Sequence, residues 1–235
     1  MPIQLPPLSR RKFISRAVTA GTGLVFLRDL LAAEAPVDPH SWALLADTHI
    51  AADPETISRN TNMTKNLKAV GREIVEWPKR PAGVLVNGDC AFTTGQPGDY
   101  ANLTALLDPI RQAQLAIHLT LGNHDERSHF WDALPEKDAA KRAVTDRHAG
   151  ILRSDRANWF LLDSLEKTNS TPGLLGETQL DWLAKSLDAN ADKPAIIFSH
   201  HNLERPETGE AKSGLKDTEK LLAVLEPRKQ VKAYI

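Results

Sequence analysis

The stretch Leu119–Asp125, Leu-Thr-Leu-Gly-Asn-His-Asp, limits what this chain can fold into more than any other. A short apolar run of this kind is a buried strand, and a glycine at its end lets the backbone turn sharply. Asn123, His124 and Asp125 therefore stand at a strand's C-terminal edge, the place where open α/β sheets bind their ligands. Two earlier strands end the same way: Trp42–Ala46 runs into Asp47-Thr48-His49, and Val84–Val86 into Asn87-Gly88-Asp89. A later one, Ala195–Phe198, ends at Ser199-His200-His201-Asn202. One such ending means little, but four in succession predict an α/β fold whose strand ends share one polar site.

Helical spacing fills the gaps between the strands. Met63, Leu67, Val70, Ile74 and Trp77 form a core-facing stripe that stops at Pro78, with Trp77 expected to pack. Leu103, Leu106, Leu107 and Ile110 form a second stripe, which Pro109 should end or kink. Leu180, Leu183 and Leu187 mark a helix from near Glu177, and Leu221, Leu222 and Leu225 mark a last one before Pro227; Val231–Ile235 begin a further strand. The unit from Trp42 to Asn87 is strand, helix, strand, joined through a short Lys79-Arg80-Pro81 turn, and its parallel crossover should be right-handed. Glu126–Ala157 is charged and the least patterned segment, suited to covering a site. His129 and His148 within it are expected in solvent, and His118 in the third strand is expected to pack.

The 235 residues suit one domain of about 200 residues behind a leader. Ser9-Arg10-Arg11-Lys12-Phe13 resembles the twin-arginine export signal; an apolar stretch, Ala17–Leu27, and a cleavage-type Ala33-Glu34-Ala35 follow. Residues 1–35 are thus read as a signal peptide, 36–41 as a Pro-containing linker and 42–235 as the domain, exported to the periplasm or beyond. Arg28 and Asp29 interrupt the apolar stretch, so no stable membrane span is expected. Cys90 is the only cysteine, which precludes an intrachain disulfide, and it is read as a small core residue. The formal net charge is -1, and the part after residue 35 holds 24 basic against 28 acidic side chains. A mildly acidic body argues against a nucleic-acid-binding surface.

Together the strand ends supply Asp47, His49, Asp89, Asn123, His124 and His200 or His201. Carboxylate, imidazole and amide oxygen make a mixed hard and borderline donor set, suited to Mn, Fe or Zn and unlike the thiolate sets of structural zinc. In extended chain, residues i and i+2 point the same way, so Asp47 and His49 can grip one ion together. Asp89 can offer one oxygen to each of two ions, and a two-metal site with ions about 3.5–4 Å apart suits phosphoryl transfer. Asp125 reads as a turn carboxylate. Arg127 reads equally as a phosphate-orienting fork or as plain surface charge.

Asp47-x-His49, Gly88-Asp89, Gly122-Asn123-His124-Asp125 and the apolar strand into His200-His201, in that order, resemble the calcineurin-like metallophosphoesterase superfamily from Trp42 to the last residue. Gly95–Tyr100 and Gln179–Leu183 are similar to the branch containing cyclic-nucleotide phosphodiesterases and related phosphatases. The resemblance implies an α/β/β/α sandwich that binds two divalent or trivalent transition-metal ions. It implies hydrolysis of a phosphate mono- or diester by a hydroxide that both ions activate. By the family's pattern Asp47 and His49 hold the first ion, Asp89 bridges, Asn123 and His200 hold the second, and His124 faces the leaving-group oxygen. His201 would then support His200 or touch substrate, as Arg127 could.

Two departures stand out. Cys90-Ala91-Phe92-Thr93 replaces the Asp-Arg pair that supports the catalytic His in the Ser/Thr protein phosphatase branch, which leaves the partner of His124 open. The family's Gly-His-x-His motif is expected where the chain stops at Tyr234-Ile235. The domain is accordingly read as a fragment, incomplete at its C-terminus, with weak metal binding and little activity of its own. The expected substrate is a small-molecule phosphate ester. The alternatives are an exported binding domain with a structural metal site and a nuclease of the same fold; His124, which no structural site needs, favours the enzyme.

Overall fold

Three parallel strands, β1 (Val37–Ala46), β2 (Arg80–Asn87) and β3 (Ala116–Leu119), lie side by side in that order. In the computed structural model residues 35–133, 143–207 and 209–235 are described; the leader read at residues 1–35 lies outside them but for its last residue. Alternation along β2 sorts its side chains: Val84 and Val86 turn to one face and Leu85 to the other. Helices α1 (Met63–Glu76) and α2 (Pro97–Gln112) cover the first face through Leu67, Ile74, Leu103, Leu107 and Ile110.

A second sheet has the order β4 (Gly150–Arg153), β5 (Asn158–Leu161), β6 (Ala195–Phe198), β7 (Val231–Tyr234). Its first pair is antiparallel and the others parallel. A short α3 (Arg127–Ala133) precedes it, and α4 (Glu177–Ala189) and α5 (Thr218–Leu225) pack on its outer face through Leu180, Leu183, Leu187 and Leu221. Between the sheets Leu85 meets Trp159, Leu161 and Phe198, with Trp42 packed alongside. The layers run helix, sheet, sheet, helix, as expected from the resemblance. Among the described residues no helix is long and apolar enough to cross a membrane.

Several expectations need correction. The segment 36–41 is mostly strand: Val37 and Asp38 pair with Arg80 and Pro81 before a register shift leads to Trp42 opposite Gly83. Pro39, which has no N–H, falls within that irregularity. The supposed turn at Arg80-Pro81 is therefore in the sheet, and the Arg80 guanidinium donates to the Ala113 carbonyl at 3.1 Å. Helix α2 runs on past Pro109 to Gln112, and the Pro109 carbonyl still accepts from Ala113 N–H at 3.1 Å. Trp77 caps α1 and is 37% exposed, so it is not part of the core. The unpatterned segment holds α3 and β4, each too short to show a period. His148 is buried, not solvated: Nε2–H donates to the Leu119 carbonyl at 3.0 Å while Nδ1 accepts from the Trp131 indole at 3.3 Å. His118 packs as expected, its ring 5.9 Å from that of Trp42.

Candidate active site

The loops leaving β1 and β2 run on together as if still paired. Asp47 N–H donates to Gly88 O at 3.3 Å, His49 N–H to Asp89 O at 2.9 Å and Ile50 N–H to Cys90 O at 3.0 Å. Asp47, His49 and Asp89 all adopt left-handed backbone, at φ 53°, 43° and 45°, a region that most residues avoid and that Asp and His enter more often than others. This backbone fixes three donor side chains against one another. His49 Nε2 lies 3.6 Å from Asp89 Oδ2 and 3.8 Å from Asp47 Oδ1, and His200 Nε2 lies 3.5 Å from Asp89 Oδ1. Asp89, nearly buried, thus stands between two imidazoles with one oxygen toward each. Donor atoms of Asp47, Asp89 and His200 all lie within 4.8 Å of one another.

The hydrogen bonds behind these groups test whether a metal fits. A carbonyl only accepts, so the 3.0 Å contact of His200 Nδ1 with Asn87 O puts a proton on Nδ1 and turns Nε2 toward Asp89. A lone pair facing a carboxylate oxygen at that range calls for positive charge between them. Burial lowers the pKa of His49 more than the nearby Asp89 carboxylate raises it, favouring the neutral imidazole that a metal ligand must be. The space is kept by glycines. A Cβ on Gly88 would come within 2.6 Å of the His200 ring, and one on Gly122 within 2.2 Å of Asp89 Oδ1. Two carboxylates and two imidazoles, with Asn123 on the adjoining loop, suit a transition-metal ion. The residues present fit the group.

His124 stands at the rim. Its N–H donates to Asp89 Oδ1 at 2.8 Å, and its ring lies 5.2 Å from that of His49. Its Nδ1–H donates to the Thr93 carbonyl at 2.7 Å, so the partner left open by the sequence is a backbone group. Asp125 is fully buried and ties the loops after β2 and β3 together. It accepts from the N–H groups of Gly122, Cys90 and Ala91 at 2.9, 3.1 and 3.0 Å and from the Tyr100 hydroxyl at 3.1 Å. Burial pushes its pKa up to about 6 against those three backbone donors. Cys90 is a core residue, its Sγ on the Thr120 carbonyl at 3.6 Å and its pKa raised by burial. The Asn123 carbonyl accepts from Asn169 N–H at 2.6 Å, which pins that loop.

Two expected substrate contacts are placed elsewhere. The Arg127 fork grips Asp163 at 2.8 and 3.0 Å and the Leu165 carbonyl at 2.6 Å; a carboxylate inside the fold has taken the place foreseen for a phosphate. His201 is 3% exposed, with Nδ1 2.8 Å from Ser164 Oγ and its carbonyl accepting from the Tyr234 hydroxyl at 2.6 Å. Burial pushes its pKa down to about 4. It packs edge-on behind His200, ring to ring at 5.1 Å, so of the pair it is His200 that faces the site.

A two-sheet sandwich with carboxylates and imidazoles converging at its strand ends defines a metallophosphoesterase-type fold. The family model for calcineurin-like phosphoesterase matches residues 42–235, and the chain belongs to that family. It is 31% identical over 174 residues to a probable cyclic nucleotide phosphodiesterase of Rhodococcus erythropolis, an overlap of 72% of this chain and 54% of that protein. It is 24% identical over 194 residues to a 3',5'-cyclic adenosine monophosphate phosphodiesterase of Pseudomonas aeruginosa, covering 81% and 66%. It is also 24% identical over 160 residues to a glycerophosphodiester phosphodiesterase of Enterobacter lignolyticus, covering 68% and 55%. The matched part therefore spans between about half and two thirds of the length of these relatives.

Proposed function

We propose that the chain carries the metal-binding half-site and the acid of a phosphate ester hydrolase acting on a small-molecule ester outside the cytoplasm. The observation that carries this is Asp89, with Oδ2 toward His49 and Oδ1 toward His200. Asp47, His49 and Asp89 would hold one ion, and Asp89, Asn123 and His200 a second; Mn, Fe or Zn suits these donors. Ions bound there supply Lewis acidity toward a phosphoryl group and toward water. His124 would supply the proton in its doubly protonated form: Nδ1–H stays on Thr93 O, and Nε2–H serves a leaving-group oxygen. The His124 amide, bonded to Asp89 Oδ1, keeps the bridging carboxylate aligned. All three relatives named above are phosphodiesterases by name, which favours a diester substrate. The Arg10-Arg11 leader supports export by the twin-arginine route.

Hydrolysis of a chromogenic diester and monoester by the full-length protein, with and without added manganese, tests the proposal when run beside metal analysis. Turnover should need metal and should vanish in Asp89→Asn. Turnover that survives both chelation and that substitution would refute it, and tight metal binding without any turnover would mark a binding domain.

A further inference from the structure

Beside the metal cradle lies a cavity of about 460 Å³. His49 and His124 line it, and Phe92 and Met63 add apolar side chains. Arg59 is the cation in the lining, and no carboxylate joins it there. His49 thus borders both the ion site and the recess.

The backbone that presents Arg59 is unusual. Ser58 and Thr61 exchange two hydrogen bonds, N–H to carbonyl, each at 2.9 Å, closing a two-residue turn. Arg59 and Asn60 at its tip both have positive φ, 49° and 61°. Such primed turns favour Gly and Asn at both central positions; Asn60 suits, and Arg59 does not. Residues held in sparsely populated backbone regions cluster at ligand clamps and active sites. Nor is the guanidinium occupied: among the described residues Arg59, like Arg72 and Arg156, has no side-chain hydrogen bond or ion pair, and of these three it is Arg59 that lines the recess.

Resting on the hydrolase reading above, we infer that this recess receives the leaving alcohol of the ester and that Arg59 selects alcohols carrying an anionic group beyond an apolar or aromatic body. The lining supplies what such a ligand needs: His124 as proton donor for the leaving oxygen, Phe92 and Met63 against a hydrocarbon or ring body, and Arg59 to meet negative charge.

The test uses two methyl aryl phosphodiesters assayed with manganese, one releasing 4-hydroxybenzoate and the other its neutral amide. Arg59→Gln should lose about five-fold in kcat/KM on the anionic leaving group, the scale of one exposed charge contact, and less than two-fold on the amide. Arg59→Lys should recover most of that loss. Arg59 is exposed, so these variants fold. Equal loss on both diesters, or none on either, overturns the assignment while leaving the hydrolase reading intact. Should the full-length wild type cleave neither diester, the hydrolase reading fails, and binding of free 4-hydroxybenzoate to the metal-free protein still decides the recess. Amide shifts at Ser58–Thr61 and Phe92 that weaken about five-fold in Arg59→Gln support it, and shifts that are absent or unchanged overturn it.

Discussion

Adding one methyl group at Gly122 should dismantle the metal cradle without replacing any donor residue. In Gly122→Ala the new Cβ would meet Asp89 Oδ1 at 2.2 Å and the Asp89 backbone nitrogen at 2.4 Å, where real Cβ contacts stay above 3.0 Å. The carboxylate must therefore retreat by roughly 0.8 Å, and it cannot do so by bending a flexible end, because backbone is struck as well. Overpacking of this kind costs about 1–3 kcal/mol. The same movement pulls Oδ1 from the His124 N–H, now at 2.8 Å, a hydrogen bond to a charged group worth about 1.5–3 kcal/mol. Since the two effects share one displacement they do not simply add, and a net loss near 3 kcal/mol, or roughly 6–12 °C in a domain of this size, is expected. A misplacement of about 1 Å at a reacting centre costs about 10²-fold in rate, so turnover should fall further than stability. The control is Gly71→Ala in α1, where the nearest atom is Ile110 Cδ1 at 3.6 Å; replacing a helical glycine there should stabilise by about 0.4–1 kcal/mol. Thermal melts, metal content and diester hydrolysis on both variants decide the matter. Full metal content and wild-type turnover in Gly122→Ala would show that Asp89 is not held as described.

Asp89→Asn should lose metal along with activity, since a neutral amide cannot bridge two cations, whereas His124→Gln should keep its metal and lose rate by roughly 10²–10⁴, most for poor leaving groups; equal metal loss in both variants would erase the distinction. Arg127→Met should act on stability and not on substrate affinity, because it strands the fully buried Asp163 carboxylate. Breaking a buried pair costs about 3–5 kcal/mol; a raised KM in a variant that melts normally would return Arg127 to the substrate. Replacing Arg10 and Arg11 by Lys should retain precursor in the cytoplasm, as fractionation and immunoblotting would show, because the export signal is read by a receptor and not by charge alone. Normal export of the Lys-Lys form would discard the twin-arginine reading.

What the sequence discloses and what it hides divide along a physical line. That Asp47, His49, Asp89 and His200 come together was legible because few residue types supply such side-chain donors, and the strands before them because unbroken apolar runs admit few other conformations. The groups that aim those donors were not legible. His124 is oriented by the Thr93 carbonyl and His200 by the Asn87 carbonyl, and every residue owns a carbonyl. The misread stretches have local signals that tertiary pairing overrode: Pro39 and Pro81 look like linker and turn until β1 and β2 pair across them. Arg127 misled for the opposite reason, since a fork built for a phosphate fits Asp163 equally well.

A signal was nonetheless available in the mismatch between residue and backbone. Nine described residues other than glycine have positive φ. Asp47, His49 and Asp89 among them carry donor atoms, Thr93 carries the carbonyl that orients His124, and Arg59 lines the recess beside it. Asp and His enter this region more readily than most residues, whereas Arg and Thr do not, so Arg59 and Thr93 are the two of these five whose conformation runs against local propensity, and strain of that kind clusters at ligand clamps and active sites.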